Sequence, residues 1–161
     1  MNIKTVSLAL LGAASLTLAA CGDKDDHDHD DTADHDDTGE DTGDGPADIA
    51  IAGSYTDGWG GDHEITNTSW AQYGGTTNFA IVSYDNDEQM AIAQNDSANA
   101  YNPDLWSRFD WHTDGDGNLW YCQGTYDAAT QADAESAAAP DTSDPANSGC
   151  GTFSWTQLTA N

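Results

Sequence analysis

Residues 105–112 read LWSRFDWH, and residues 113–126 continue TDGDGNLWYCQGTY. Side chains of a β-strand alternate between its two faces. Alternation sets Leu105, Ser107, Phe109 and Trp111 on one face and Trp106, Arg108, Asp110 and His112 on the other. Thr113-Asp114-Gly115-Asp116-Gly117 is a turn, because glycine and short carboxylates favour tight chain reversal. Asn118 to Tyr126 is the partner strand of this antiparallel hairpin.

Working outward, the same signals recur at close spacing. Ile49 to Thr56 is predicted as a first strand, followed by the glycine-rich turn Asp57 to Gly61. Asp62 to Asn67 and Ser69 to Tyr73 are short strands, and Gly74-Gly75 marks a hairpin. Thr77 to Tyr84 is rich in β-formers; Asp85 to Glu88 turns the chain, and Gln89 to Gln94 returns it. Asn95 to Asp104 is a polar loop with Pro103. After the central hairpin, Asp127 can cap a helix over Ala128 to Ala139, stopped by Pro140. Thr152 to Leu158 closes the chain as a last strand. The fold class is therefore mainly β: a small antiparallel barrel or sandwich of about eight strands with one short inserted helix.

Several residues invite a chemical reading. Arg108 is the only Lys or Arg in residues 49–161, and it shares a strand face with Trp106, Asp110 and His112. These four make a candidate ligand site, with Arg108 for a carboxylate or phosphate, His112 as acid or base and Trp106 as a wall. The same pattern is met by a structural Arg108–Asp110 pair, since a single arginine among many acids finds a partner. A hydrolase or isomerase built on Arg108, Asp110 and His112 is a further alternative. Asp114, Asp116 and Asn118 have the opening spacing of a calcium loop, but Leu119 and Thr125 stand where an EF-hand needs Gly and Glu. A hairpin turn explains them too. His63 and Glu64 point to opposite faces of a strand and form no pair. The chain has no nucleophile elbow, zincin helix, P-loop or dinucleotide fingerprint, and it is expected not to be an enzyme.

Cys122 and Cys150 are the only cysteines after Cys21. An even count in an exported chain reads as a disulfide. Leu18-Ala19-Ala20-Cys21 follows Lys4 and the apolar run Leu8 to Ala20. That run has the length of a signal-peptide core and is shorter than the roughly 20 residues of a spanning helix. The stretch resembles the lipobox of bacterial lipoproteins, in which the cysteine is acylated and the chain is cut just before it. The resemblance implies a signal peptide over 1–20, a lipid-bearing Cys21 opening a tether to residue 48, and a folded domain over 49–161. It also implies a place in the bacterial cell envelope. Gly22 is not the aspartate that holds many such proteins in the inner membrane, which favours the outer one. A plain secretory signal with Cys21 as a spare thiol is the alternative.

Residues 22–48 hold 13 of the chain's 29 acids, one lysine and no aromatic or branched aliphatic residue. Such a segment cannot offset its ordering entropy by burial and is expected to be disordered. His27, His29 and His35 stand among its carboxylates and resemble the His/Asp tracts of zinc-scavenging lipoproteins. This makes a metal-handling protein, binding zinc or calcium, the second functional expectation, with a divalent cation as the one cofactor implied.

The domain over 49–161 has 16 acids against one base, a formal charge of −15, and all 15 aromatics. So acidic a surface repels nucleic acid and anionic lipid. The leading expectation is a monomeric, non-catalytic binding domain whose partner is a small ligand, a cation or a basic envelope component. The Gly-x-Tyr opening and the aromatic strands look like lipocalin-type and avidin-type barrels. Segments such as Ala93-Gln94-Asn95-Asp96 and Trp120-Tyr121-Cys122-Gln123 are similar to envelope lipoproteins of deltaproteobacteria and related bacteria, a resemblance that carries no activity.

Overall fold

The computed structural model describes residues 47–161. The predicted signal segment, Cys21, the histidines at 27, 29 and 35 and the expected tether up to residue 46 lie outside them. Seven strands come first: β1 (Gly53–Asp57), β2 (Asp62–Ile65), β3 (Ser69–Gln72), β4 (Thr77–Asp85), β5 (Met90–Asn95), β6 (Trp106–Thr113) and β7 (Leu119–Ala128). An excursion follows, with helix α1 (Gln131–Glu135) and a ribbon of β8 (Gly149–Cys150) and β9 (Phe153–Ser154). The last strand, β10 (Thr156–Ala160), pairs with both β7 and β1. The order β1-β10-β7-β6-β5-β4-β3-β2 closes on itself, so the sheet is a barrel and not a sandwich.

Alternation fills the barrel. Phe109 and Trp111 of β6 point inward as read from the sequence, beside Trp70, Phe79, Ile81, Ala91, Ala93, Tyr121 and Leu158. Trp70 stacks on Phe109 at 4.4 Å between ring centroids, and Phe79 meets Phe109 edge-on at 4.9 Å. A barrel of this strand number has room for little more than its own side chains. A bulge between Ile81 and Ser83 shifts the register of β4 against β5.

Ile49 to Ala52 is not strand. A turn hydrogen bond from Ala52 N to Ile49 O folds it across one end of the barrel, where Ile49 and Ile51 are buried in the core. Asn67 Oδ1 accepts from Ile49 N, and Asn86 Oδ1 accepts from Ala50 N. The segment thus bridges the β2–β3 and β4–β5 turns and closes that end. In an antiparallel barrel the connections alternate between ends, so the β1–β2, β3–β4 and β5–β6 loops gather at the other one.

The inserted helix is shorter than expected and starts later. Ala128 pairs with Trp106 as the last residue of β7, so Asp127 cannot cap. Thr130 does so instead, its Oγ1 accepting from Asp133 N. The predicted closing strand 152–158 is split: Phe153–Ser154 turns back on Gly149–Cys150, and Trp155 N donates to Pro145 O before β10 begins. Cys122 and Cys150 are disulfide-bonded, which ties this excursion to β7.

Candidate functional site

The outer face of β6 carries Trp106, Arg108, Asp110 and His112. The excursion covers it, with α1 packed over β5, β6 and β7. Arg108 and Asp110 are buried beneath that cover, 8% and 4% exposed. Arg108 Nε lies 3.0 Å from each carboxylate oxygen of Asp110, and its Nη2 lies 2.7 Å from Oδ1. Its Nη1 donates to the carbonyls of Glu135, the last residue of α1, and of Ala137 just beyond it. The guanidinium is spent on protein groups and fastens the excursion to the wall. Burial pushes the Asp110 carboxyl up; the Arg108 guanidinium pulls it back without restoring the usual range. His112 lies edge-on to Trp155 at 6.4 Å between centroids, and Trp106 sits in the β5–β6–β7 sheet opposite Gln94 and Ala128. The four residues share an outer face as read. The structural pair, not a ligand grip, is what Arg108 and Asp110 form, because the only Lys or Arg among the described residues is needed to neutralise a buried carboxylate.

Asp114 is likewise occupied. Its Oδ1 accepts from Asp116 N and Asn118 N, and its Oδ2 accepts from Asn118 Nδ2 and Trp120 Nε1. The Asn118 and Trp120 side chains, with the turn's N–H groups, hold its carboxyl far below the usual range. The Asp114–Asn118 segment is a self-satisfied turn. Among the described residues no three His, Cys, Asp or Glu side chains gather as a metal site.

The open end of the barrel was not singled out by the sequence. A cavity of about 690 Å³ opens there, lined by Gln72, Tyr73, Phe79, Asn95, Tyr101, Asn102, Gln123 and Tyr126 among others, with no charged side chain. Small-molecule sites run from roughly 300 to 1,000 Å³. Asn95 is buried and does structural work: its Nδ2 donates to Asn102 O and Tyr126 O, and its Oδ1 accepts from Ser107 Oγ. Gln123 Nε2 donates to Ser107 Oγ in turn. Asn99 Oδ1 accepts from Asn78 N, and its Nδ2 donates to Asn78 O, which fastens the loop bearing Tyr101 to the start of β4. The rim is held in place by buried amides.

Gln72 differs from these. It is 5% exposed, and its Nε2 has no hydrogen-bond partner among the described residues. A buried polar group left unpaired costs about 1–3 kcal/mol, and Gln72 stands in the wall of the cavity.

Beside it runs a second buried chain. Trp70 Nε1 donates to His63 Nδ1 at 3.1 Å, which places the ring proton on Nε2, facing Asp57 Oδ2 at 3.2 Å. Asp57 Oδ1 also accepts from Trp59 N and Gly61 N. Both nitrogens of His63 are engaged and its side chain is shut from solvent, so the dyad holds structure. Gly61 is required here: a Cβ would sit 2.7 Å from Tyr73 Cε1 and 2.8 Å from Asp57 Oδ2. Tyr121 lies 5.1 Å from His63 between centroids; burial, then Tyr73 and Asp57, push its hydroxyl well above the usual tyrosine range.

Burial works to raise the Asp57 pKa, but hydrogen bonds from Gly61 N, His63 and Trp59 N outweigh it and leave the carboxyl below its ordinary value. A depressed folded-state pKa gives stability that is full above the unfolded value near 3.9 and is lost as pH falls through the folded value. The stability gap between the native chain and Asp57→Asn should therefore be widest at neutral pH and shrink below about pH 4. Denaturant titrations at pH 7, 5 and 3 would check this; a gap independent of pH would count against it.

Comparison with protein-family models, with curated proteins and with solved structures finds no match for this chain.

Proposed function

We propose that this protein is a lipid-anchored component of the bacterial cell envelope, its barrel a non-catalytic module that binds a ligand at the open mouth. The observation that carries the binding reading is the uncharged cavity of about 690 Å³ at the mouth, walled by Tyr73, Tyr101 and Tyr126 and by the amides of Gln72, Asn102 and Gln123. Support for the anchor is the Leu18-Ala19-Ala20-Cys21 stretch. The described chain enters at the barrel's closed end, where Tyr84 Oη donates to Ala47 O. The preformed rim suits binding, because a site that is already ordered spends little free energy on ordering itself.

Each half has its own test. The full chain, signal included, expressed in a bacterial host fed alkyne-tagged palmitate should carry the label, and Cys21→Ser should abolish it. Label on neither protein would remove the anchor. For the mouth, phenol and acetamide serve as small probes in NMR of the full mature chain. Shifts of side-chain amides should gather at Gln72, Asn95 and Gln123 and spare Gln94 and Gln157 on other parts of the barrel. Equal shifts at all five, or none at the first three, would sink the mouth site.

A further inference from the structure

Five of the six exposed large hydrophobic side chains among the described residues lie at one end of the barrel. Trp59 stands on the β1–β2 turn, Tyr73 on the β3–β4 turn and Tyr101 on the β5–β6 loop. Tyr126 lies near the end of β7, and Phe153 borders a cleft that it shares with Gln123 and Tyr126. Their exposures run from 50% at Tyr126 to 89% at Trp59; only Val82 is elsewhere. Aromatic residues scattered singly on a surface need no explanation, but a contiguous patch does. Three of these, Tyr73, Tyr101 and Tyr126, line the cavity itself, together with Phe79, Ala100, two threonines and primary amides.

We infer that the mouth binds a neutral saccharide, its ring faces against Tyr73, Tyr101 and Tyr126 and its hydroxyls on the amides of Gln72 and Gln123. The inference rests on the mouth being the ligand site. A sugar ring has an apolar C–H face that an aromatic ring can cover, and an edge of hydroxyls that each donate and accept. A primary amide also donates and accepts, so it can take two neighbouring hydroxyls at once. Tyrosine adds contact area at low cost in side-chain entropy.

The charge of the domain disfavours anionic ligands at this rim. Its 16 acids face one base, and that base, Arg108, is bound to Asp110 and two carbonyls on the outer wall. Nucleotides, uronic-acid polymers and anionic lipid surfaces are repelled. A peptide terminus or side-chain charge finds no counter-charge in the cavity lining. A neutral polyhydroxylated ligand meets no such penalty.

The positions of Gln72 and Tyr101 make this testable without loss of the fold. Gln72→Leu removes an unpaired buried amide, so its melting temperature should equal or exceed that of the native chain. Tyr101 is 85% exposed, so Tyr101→Ala should leave stability unchanged. The experiment is an array of neutral hexasaccharides, α- and β-glucan, mannan, galactan and chitin, beside polyuronates, probed with the full mature chain and both variants. At least one neutral glycan should bind and the polyuronates should not. Each variant should weaken that binding by about tenfold or more, the scale of one stacked ring or one lost hydrogen-bonding group.

Binding undiminished in both variants would place the sugar elsewhere and overturn the inference. Preference for polyuronates, or silence across the array, would overturn it too. The phenol and acetamide shifts then separate two failures: if they still mark Gln72, Asn95 and Gln123, the mouth reading stands and only the saccharide is wrong. If they do not, both fall together.

Discussion

Asp110→Ala will destabilise the barrel by about 3–5 kcal/mol, the usual cost of removing one partner from a buried ion pair. The cost arises at Arg108. Its side chain is 9% exposed, and the guanidinium keeps only the Glu135 and Ala137 carbonyls when the carboxylate is gone. An unneutralised cation under α1 must then either be desolvated alone or push the excursion away and let water in. The pair itself contributes far less than this figure suggests. Burial pushes Asp110 above the usual carboxylate range even with the guanidinium beside it, so desolvation outweighs the attraction. The double variant Arg108→Met with Asp110→Leu should therefore recover most of the loss. Equilibrium unfolding in urea of the native chain, the single and the double variant measures both values. A single variant costing under about 1 kcal/mol would mean that the wall is not buried in solution.

Replacing Cys122 and Cys150 together by alanine is expected to cost about 3–4 kcal/mol, from the loop-closure entropy the bridge removes from the unfolded chain. The bridge joins residues 28 apart in sequence and ties the β8 end of the excursion to β7. The excursion's other holds are the Arg108 contacts to Glu135 and Ala137 and the buried Trp155. Ala134 is the only buried residue of α1, which is 5 residues long. The loss should be local first: amide hydrogen exchange should speed up over 129–155 before it does in β3 to β5. The expected readout is a lower urea midpoint together with that ordering. Uniform exchange across the barrel would show that the bridge stabilises the barrel itself and not the excursion.

The two effects are coupled in space, since Arg108 and Cys150 hold opposite ends of one cover. Asp110→Ala in the reduced chain should lose less than the sum of the separate costs, because the excursion can open only once.

The fold was legible where its causes are local. Alternation in LWSRFDWH put Phe109 and Trp111 on the inner face and Arg108 and Asp110 on the outer, and turn residues marked most strand ends. Local signals failed where a distant contact overrode them. Ile49 and Ile51 alternate as a strand would, yet they cap the barrel, because an open end lined with Trp70 and Ile81 needs apolar cover. The alanine-rich run after Tyr126 reads as helix from Ala128, but β6 claims that residue as a strand partner first.

The mouth was harder to see. Gln72, Asn95 and Gln123 lie 23 and 28 residues apart in sequence on β3, β5 and β7, and a lone amide on a strand carries no signal of what it will face. Asp57 and His63 are six residues apart across a glycine-rich turn, a spacing that could have been found. A mainly β chain with two faces per strand, a cysteine pair and a strongly acidic domain are readable from residue order alone, because periodicity, composition and charge are properties of neighbours along the chain. Closure of the sheet, the fastening role of Arg108 and the meeting of Gln72 with Tyr73, Tyr101 and Tyr126 at one cavity are set by the folded arrangement. Those facts depend on which strands become neighbours in space, and pairing is settled by burying all the inward faces at once.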